Sequence, residues 1–295
     1  MYIKNLLSSW LWQRALKRHR SRMGRRYAPP YTEYARRAQA AYKGKLTSDP
    51  FIANHSDAFR RQGYTWFRTD ETEALARSML RQIEEERRTL GDARVWAENS
   101  RYSLGDIYQR FPQVEQLFRG ETGCFLKATF GSEFKIFYGI LYRSVYNAAG
   151  PTGLQRWHSD SGPGTCINLM FCLTDVGARN GAMETLPWTD SLRVFRAEAR
   201  AQPLGTMDKT SLQDFFSQEI NSRFADRVSQ PDSGPGLVYP FLNNTIHRGG
   251  YPEPGEERIV CVFHIYPSVE AAPLDQYRTR GITKTGPYPK DPAWQ

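Results

Sequence analysis

The chain contains 295 residues, of which 40% are hydrophobic and 13% aromatic, and this length can bury one sizeable core. It has no stretch of about eighteen consecutive apolar residues, which argues against a transmembrane helix. The four cysteines form no C-x-x-C pair, so we expect free thiols in a reducing compartment and no cysteine-held metal.

The net charge of +9 is concentrated at the N-terminus. Residues 1–32 contain eight basic residues and no acidic one, and the remaining 32 of the 40 basic residues are nearly balanced by the 31 acidic residues. A nearly neutral body argues against a groove for a polyanion, so we expect no nucleic-acid partner.

The first segment is typical of an amphipathic helix at a membrane surface. Apolar side chains recur at helical spacing, at Ile3, Leu6, Leu7, Trp10 and Leu11. A cluster of arginines follows, which predicts that residues 1–26 bind an anionic membrane surface. The alternatives are a helix that packs on the body or on a sister subunit of a homo-oligomer, and a mitochondrial transit peptide.

Ala28-Pro29-Pro30-Tyr31 interrupts this segment, and we expect a basic N-terminal arm over residues 1–45 and a catalytic domain over residues 46–295. The stretch Asn54-His55-Ser56-Asp57 is predicted to open a short helix that ends before Gly63, with Ser56 or Asp57 as the N-cap. We therefore assign this H-x-D sequence to helix capping and not to metal binding. A second helix is predicted to begin at Thr69 or Asp70 and to carry an apolar stripe, at Leu75, Met79, Leu80 and Ile83.

From residue 134 onward, the sequence changes to short β-branched and aromatic runs that are separated by glycine and proline. The runs span residues 134–145, 165–173, 237–239 and 259–266. Short strands without alternating helices predict an antiparallel sandwich or barrel, one face of which is covered by the preceding helices. The expected fold class is mainly β with covering helices (α+β).

His158, Asp160 and His247 are the candidate metal ligands. His158 and Asp160 lie two residues apart on an extended stretch, so both side chains lie on one face. Two imidazoles and one carboxylate leave open positions of the kind that Fe(II) uses in oxygen chemistry, whereas structural zinc sites are closed. Arg258 follows on the next predicted strand, and its planar guanidinium can hold a carboxylate through two parallel hydrogen bonds.

The segment from His158 to Tyr266 resembles the phytanoyl-CoA hydroxylase family of Fe(II)/2-oxoglutarate-dependent dioxygenases. The resemblance rests on five motifs: Trp157-His158-Ser159-Asp160, the sequence NGAMETLP at residues 180–187, Gly236-Leu237-Val238, His247-Arg248-Gly249 and Arg258. It implies a double-stranded β-helix (jelly roll, cupin-like) in which His158, Asp160 and His247 are the catalytic iron ligands and Arg258 binds the cosubstrate 2-oxoglutarate. The sequence departs from the family after Pro187, where Trp188-Thr189-Asp190 replaces Gly-Ser-His. The resemblance therefore does not define the loop that contacts the substrate.

The resemblance implies hydroxylation of an unactivated C–H bond by O2, coupled to decarboxylation of 2-oxoglutarate to succinate. Because Asp160 is present, hydroxylation is favoured over halogenation. With its N-terminal arm, the chain is also similar to bacterial Kdo hydroxylases, which implies as substrate the Kdo sugar of lipopolysaccharide or of a lipid A precursor. The protein would then be cytoplasmic and peripheral on the inner face of the membrane. The alternatives are a hydroxylase of a soluble small metabolite or acyl thioester, and a non-enzymatic cupin-like metal-binding sensor.

Three further side chains are predicted near the site. Arg143 and Arg156 are expected to meet the carboxylate or phosphates of an acidic substrate. His264 lies six residues after Arg258 on the same predicted strand and therefore on the same face. A hydrogen-bonded core histidine is the preferred interpretation of His264, and a pocket position is the alternative.

Overall fold

A computed structural model describes residues 33–96, 104–160, 166–201 and 207–271. The segment predicted to bind membranes, residues 1–26, lies outside the described residues. The boundary between arm and catalytic domain stays a prediction.

The first described helix, α1 (Glu33–Ala41), packs on the body of the protein. Ala35 and Ala38 are fully buried, and the side-chain amide of Gln39 donates a hydrogen bond to the carbonyl oxygen of Phe130 at 2.8 Å. These contacts tie the chain to the body ahead of residue 46.

Further helices lie between α1 and the first strand: α2 (Pro50–Gln62), α3 (Asp70–Leu90), α4 (Asp92–Val95), α5 (Leu104–Arg110), α6 (Glu115–Arg119) and α7 (Glu121–Phe130). Helix α2 begins earlier than predicted, because the side chain of Asp49 accepts a hydrogen bond from the backbone N–H of Phe51 at 2.8 Å. Asp49 followed by Pro50 combines an N-cap with a first-turn proline. The prediction that His55-Ser56-Asp57 opens the helix is wrong, and these residues lie in its middle.

Helix α3 confirms the predicted start and apolar stripe. Thr69 is the N-cap, and its hydroxyl oxygen accepts a hydrogen bond from the backbone N–H of Thr72 at 3.3 Å. Leu75, Met79 and Ile83 recur on one face of the helix and are buried. The cap fixes where the helix begins, and the stripe fixes which face it turns to the core.

The strands are β1 (Glu133–Val145), β2 (Ile167–Cys172), β3 (Glu184–Thr185), β4 (Val238–Leu242), β5 (His247–Arg248) and β6 (Glu257–Ser268). Four of them form an antiparallel sheet in the order β1-β6-β2-β4, which we call the major sheet. These four strands confirm the four regions that were predicted from β-branched and aromatic runs.

The two faces of the major sheet have different partners, because successive side chains of a strand alternate between faces. One face packs on helices α2, α3 and α7; from β6 it contributes Ile259, Cys261, Phe263 and Ile265. The other face contributes the even-numbered residues of β6, among them Arg258 and His264. This face of the major sheet lies opposite the second sheet.

The second sheet, which we call the minor sheet, consists of β3 and β5, extended on each side by single bridges. His158 bridges to His247, and Thr185 bridges to Ser229. The phenol of Tyr64 donates a hydrogen bond to the hydroxyl of Ser229 at 2.5 Å, which joins the edges of the two sheets, since Tyr64 itself bridges to β4. Two facing antiparallel sheets with this strand order form the predicted jelly roll, and the α+β class is confirmed.

Two helices that the sequence analysis did not predict cover the outer face of the minor sheet: α8 (Trp188–Ala201) and α9 (Lys209–Arg223). They pack on Trp157, Leu186 and Ile246. Their presence corrects the expectation of strands without intervening helices. The apolar outer face of the minor sheet requires a covering layer, and these helices provide it.

No helix in the described ranges combines the length and the apolar character needed to cross a membrane. The four cysteines are free; Cys124 is exposed and the other three are buried. Burial raises the pKa of Cys166 and Cys172 to about 12, so these thiols stay protonated near neutral pH.

Candidate metal and cosubstrate site

The backbone of the minor sheet brings together two of the predicted metal ligands. The N–H of His158 donates to the carbonyl oxygen of His247 at 2.9 Å, and the N–H of His247 donates in return to the carbonyl oxygen of His158 at 2.8 Å. The N–H of Asp160 donates to the carbonyl oxygen of Asn243 at 2.9 Å. Residues far apart in the sequence are thus paired by main-chain hydrogen bonds, which do not depend on a bound metal.

The side chains of His158, Asp160 and His247 converge. One ligand atom from each lies within 4.8 Å of the others, and no other such group of three is found among the described residues. The Nε2 atom of His158 lies 3.8 Å from Oδ1 of Asp160, and Nε2 of His247 lies 3.9 Å from Oδ2. The three side chains are therefore close enough to hold one ion.

Hydrogen bonds to the backbone fix the tautomer of both imidazoles. Nδ1 of His158 donates to the carbonyl oxygen of Arg156 at 2.7 Å, and Nδ1 of His247 donates to the carbonyl oxygen of Thr245 at 2.9 Å. A carbonyl oxygen can only accept, so the proton of each neutral ring is on Nδ1. Both Nε2 atoms keep a free lone pair, as a metal ligand requires.

The surroundings of His247 also keep its imidazole neutral. Burial, and next the neighbouring His158, lower the pKa of His247 to about 4, against a smaller opposing effect of Asp160. The ring is therefore uncharged near neutral pH. Two histidines whose Nε2 atoms point to a shared position beside one carboxylate form a donor set that suits a divalent transition metal.

Asn168 on β2 is a polar neighbour of the site that the sequence analysis missed. Its side-chain N–H donates to Oδ2 of Asp160 at 2.6 Å, and it is 1% exposed. The signal for this residue was present in the sequence, since Asn168 is the one amide side chain of the apolar strand Ile167–Cys172.

Arg258 lies on β6, directly opposite Ser144 of β1, and faces the space between the sheets. It is 1% exposed, and its guanidinium donates to the carbonyl oxygen of Gly181. Its Nε atom is buried without a hydrogen-bond partner among the described residues. A buried cation is costly unless it is paired, which favours an anionic ligand at this position.

Close backbone contacts place the loop around Gly181 beside the segment that follows β5. Gly181 has φ of +72°, and a side chain there would collide with the backbone of Gly250. A side chain at Gly250 would collide in turn with the carbonyl oxygen of Ala182. Glycine is needed at both positions because the two segments touch through their main chains. The guanidinium of Arg258 and the strand of His247 are thereby held next to each other.

Arg143 is not at the site. It forms ion pairs with Asp92 and Glu257 at 2.7 Å, opposite Ile259 on the face that packs on helices. The prediction that Arg143 lines the pocket is therefore wrong, because the alternation of β1 turns its side chain away from the site.

The remaining predicted residues have different positions. Arg156 forms an ion pair with Asp214 of α9. Its guanidinium, which was expected to contact the substrate, thus already has an acidic partner. His264 is half-buried, on the same face of β6 as Arg258. Burial lowers the pKa of His264 and Asp160 raises it by less, so the ring lies close enough to the carboxylate to interact with it.

His55, the histidine of the other H-x-D sequence, lies apart from these residues. Its Nδ1 shares a hydrogen bond with the hydroxyl of Thr65 at 3.0 Å, and it belongs to no metal-ligand group of the described chain.

No protein-family model matches the chain, and no curated protein matches it in sequence. Among solved structures, it is similar to EctD from S. alaskensis with 2-oxoglutarate and 5-hydroxyectoine, with a TM-score of 0.52 and 15% identity over 90% of this chain and 93% of that chain. The chain shares the fold of that protein.

Two structures from nogalamycin biosynthesis are similar as well. The non-heme alpha ketoglutarate dependent carbocyclase SnoK gives a TM-score of 0.52 at 17% identity, over 88% of this chain and 96% of that chain. The non-heme alpha ketoglutarate dependent epimerase SnoN gives 0.51 at 14% identity, over 82% of this chain and 97% of that chain. These likenesses show a common jelly-roll fold.

Proposed function

We propose that the protein is an Fe(II)- and 2-oxoglutarate-dependent oxygenase that hydroxylates an unactivated C–H bond. The observation that carries this proposal is the convergence of His158, Asp160 and His247, with both imidazole Nε2 atoms free, together with the buried guanidinium of Arg258. The fold shared with two enzymes described as alpha ketoglutarate dependent supports it.

The donor set fits iron better than structural zinc. Structural zinc is enclosed by four protein ligands, whereas two histidines and one carboxylate on one face leave positions open, the arrangement of non-haem Fe(II) oxygenases. When bound, Fe(II) would supply the activation of O2, coupled to oxidative decarboxylation of 2-oxoglutarate to succinate. The protein would hold the ion through Nε2 of His158, Nε2 of His247 and the carboxylate of Asp160. The carboxylate that halogenating relatives lack is present, which favours hydroxylation.

Arg258 is the proposed anchor of 2-oxoglutarate. Its guanidinium donates to Gly181, and its Nε has no hydrogen-bond partner among the described residues; the donors not used for Gly181 would bind the carboxylate at the far end of the cosubstrate. Because Arg258 is 1% exposed, its ionic interaction with a carboxylate would be screened less than a pair at the surface. The site would thus orient the cosubstrate from both ends.

For the substrate, we propose the Kdo sugar of lipopolysaccharide or of a lipid A precursor. The support is the basic amphipathic sequence of residues 1–26, which suits an enzyme working at an anionic membrane surface. A soluble small metabolite or acyl thioester is the alternative substrate.

The proposal is tested by incubating the protein with Fe(II), ascorbate and 2-oxoglutarate under air and under nitrogen. We expect succinate only under air, formed in slow uncoupled turnover without substrate and faster when the substrate is added. Kdo-lipid A and a panel of soluble acids and acyl thioesters are then compared by mass spectrometry for one added oxygen atom. Absence of O2-dependent succinate formation would favour the metal-binding sensor.

A further inference from the structure

Asn168 stands out as a buried polar side chain in an apolar strand. Its Nδ2 donates to Oδ2 of Asp160 at 2.6 Å, and its Oδ1 accepts from the thiol of Cys166 at 3.6 Å. A carboxylate only accepts hydrogen bonds, so the amide must turn its N–H group toward Asp160. Because a buried amide is costly unless it is hydrogen-bonded, these contacts account for its place in the core.

The carboxylate of Asp160 has two oxygens within reach of the proposed ion. Oδ1 lies 3.8 Å from Nε2 of His158, and Oδ2 lies 3.9 Å from Nε2 of His247. The backbone of Asp160 is fixed by its hydrogen bond to Asn243, but this bond does not set the rotation of the side chain. A further contact must decide which oxygen is offered to the metal.

We propose that Asn168 is a positioning residue that makes Asp160 a single-oxygen ligand. Its N–H engages Oδ2 and leaves Oδ1 for the ion. This inference rests on the proposed metal site. A second carboxylate oxygen on the ion would occupy a position that 2-oxoglutarate or O2 requires, so a contact that engages Oδ2 keeps the site open for the reaction.

The strength of the contact is sufficient for this role. A hydrogen bond to an ionised carboxylate is about twice as strong as one between neutral groups, and the low polarity around a residue that is 1% exposed strengthens it further. Loss of a hydrogen-bond partner of a metal ligand typically costs about 10- to 100-fold in metal affinity. An effect of that size is measurable.

The experiment measures Co(II) binding to the full chain by titration, together with the visible d–d absorption of the bound ion. Asn168→Leu keeps a similar volume and removes the donor. We expect it to raise the Kd for Co(II) by about 10- to 100-fold and to change the d–d spectrum. The matched control is Leu169→Val, which lies next in the same strand, faces the helices and should keep the wild-type spectrum and Kd.

Asn168→Thr provides a second variant, whose hydroxyl can still donate; its Kd and spectrum should lie between those of the wild type and of Asn168→Leu. A wild-type Kd and spectrum in Asn168→Leu, with normal circular dichroism, would overturn the role of Asn168 and leave the metal site standing. If Asn168→Leu fails to fold, a wild-type result for Asn168→Ala overturns it equally. Failure of the wild-type chain to bind Co(II) would overturn the proposed function itself.

Discussion

Replacing Arg258 by lysine should weaken the binding of 2-oxoglutarate while leaving metal binding intact. Arg258 is buried, donates to the carbonyl oxygen of Gly181 and keeps an Nε atom without a hydrogen-bond partner among the described residues. An ammonium keeps the positive charge but cannot reproduce the planar two-bond pair with a carboxylate. It also cannot donate hydrogen bonds to the carbonyl oxygen of Gly181 and to the cosubstrate in the same geometry.

The size of the effect follows from the loss of one charge-assisted hydrogen bond. Such a bond contributes about 1.5–3 kcal/mol. At about 1.4 kcal/mol for each factor of ten, Arg258→Lys should raise the Kd for 2-oxoglutarate by about 10- to 150-fold. The Kd for the metal should change little, because Arg258 donates to Gly181 and the three metal-ligand side chains have other hydrogen-bond partners.

The assay is calorimetric titration of 2-oxoglutarate into Co(II)-loaded protein. Arg143→Lys is the matched control, since Arg143 lies on the neighbouring strand, turns to the helices and pairs with Asp92 and Glu257. The control should keep the wild-type Kd. An unchanged Kd in Arg258→Lys would refute this assignment and move the cosubstrate carboxylate elsewhere.

Three more predictions concern the metal ligands, pH and the N-terminal segment. His158→Ala, Asp160→Ala and His247→Ala should each abolish iron-dependent succinate formation without loss of the fold, and near wild-type turnover in any of them would refute its role as a ligand. Because burial lowers the pKa of His247 to about 4, the unfolded chain binds a proton that the folded chain does not between about pH 6.5 and pH 4. The free energy of unfolding of the metal-free protein should therefore decrease as the pH is lowered through this range, and urea titrations should show a smaller decrease for His247→Gln; an equal decrease would contradict this. Deletion of residues 1–26 should abolish flotation with anionic vesicles and should spare uncoupled 2-oxoglutarate turnover, and salt should weaken flotation of the full chain without abolishing it; equal flotation of both proteins would contradict the membrane prediction.

Local signals in the sequence were sufficient to predict several elements of the fold. Thr69 and the stripe through Met79 predicted the start and the buried face of α3, because capping and helical periodicity depend only on neighbouring residues. The two-residue spacing of His158 and Asp160 predicted a shared face for the same reason. The start of α2 was predicted too late, because Asp49-Pro50 is a stronger capping signal than the serine and aspartate that follow it.

Features that depend on tertiary packing could not be predicted in this way. Arg143 and Arg156 were expected near the substrate, but strand alternation turns Arg143 to the helices and Asp214 engages Arg156. Helices α8 and α9 form where the minor sheet needs an apolar cover, which becomes apparent only when both sheets are assembled. The contact between Asn168 and Asp160 likewise joins two segments whose register the sequence does not specify.

One ion and 2-oxoglutarate should occupy the same site, and visible absorption under anaerobic conditions tests this most directly. When Fe(II) and 2-oxoglutarate are added together to the wild-type chain, we expect a metal-to-ligand charge-transfer band that neither gives alone. His247→Ala should give no band, and Arg258→Lys should require more 2-oxoglutarate to reach it. A wild-type chain that binds Fe(II) but develops no band at saturating 2-oxoglutarate would contradict the claim, because it would indicate a closed coordination sphere.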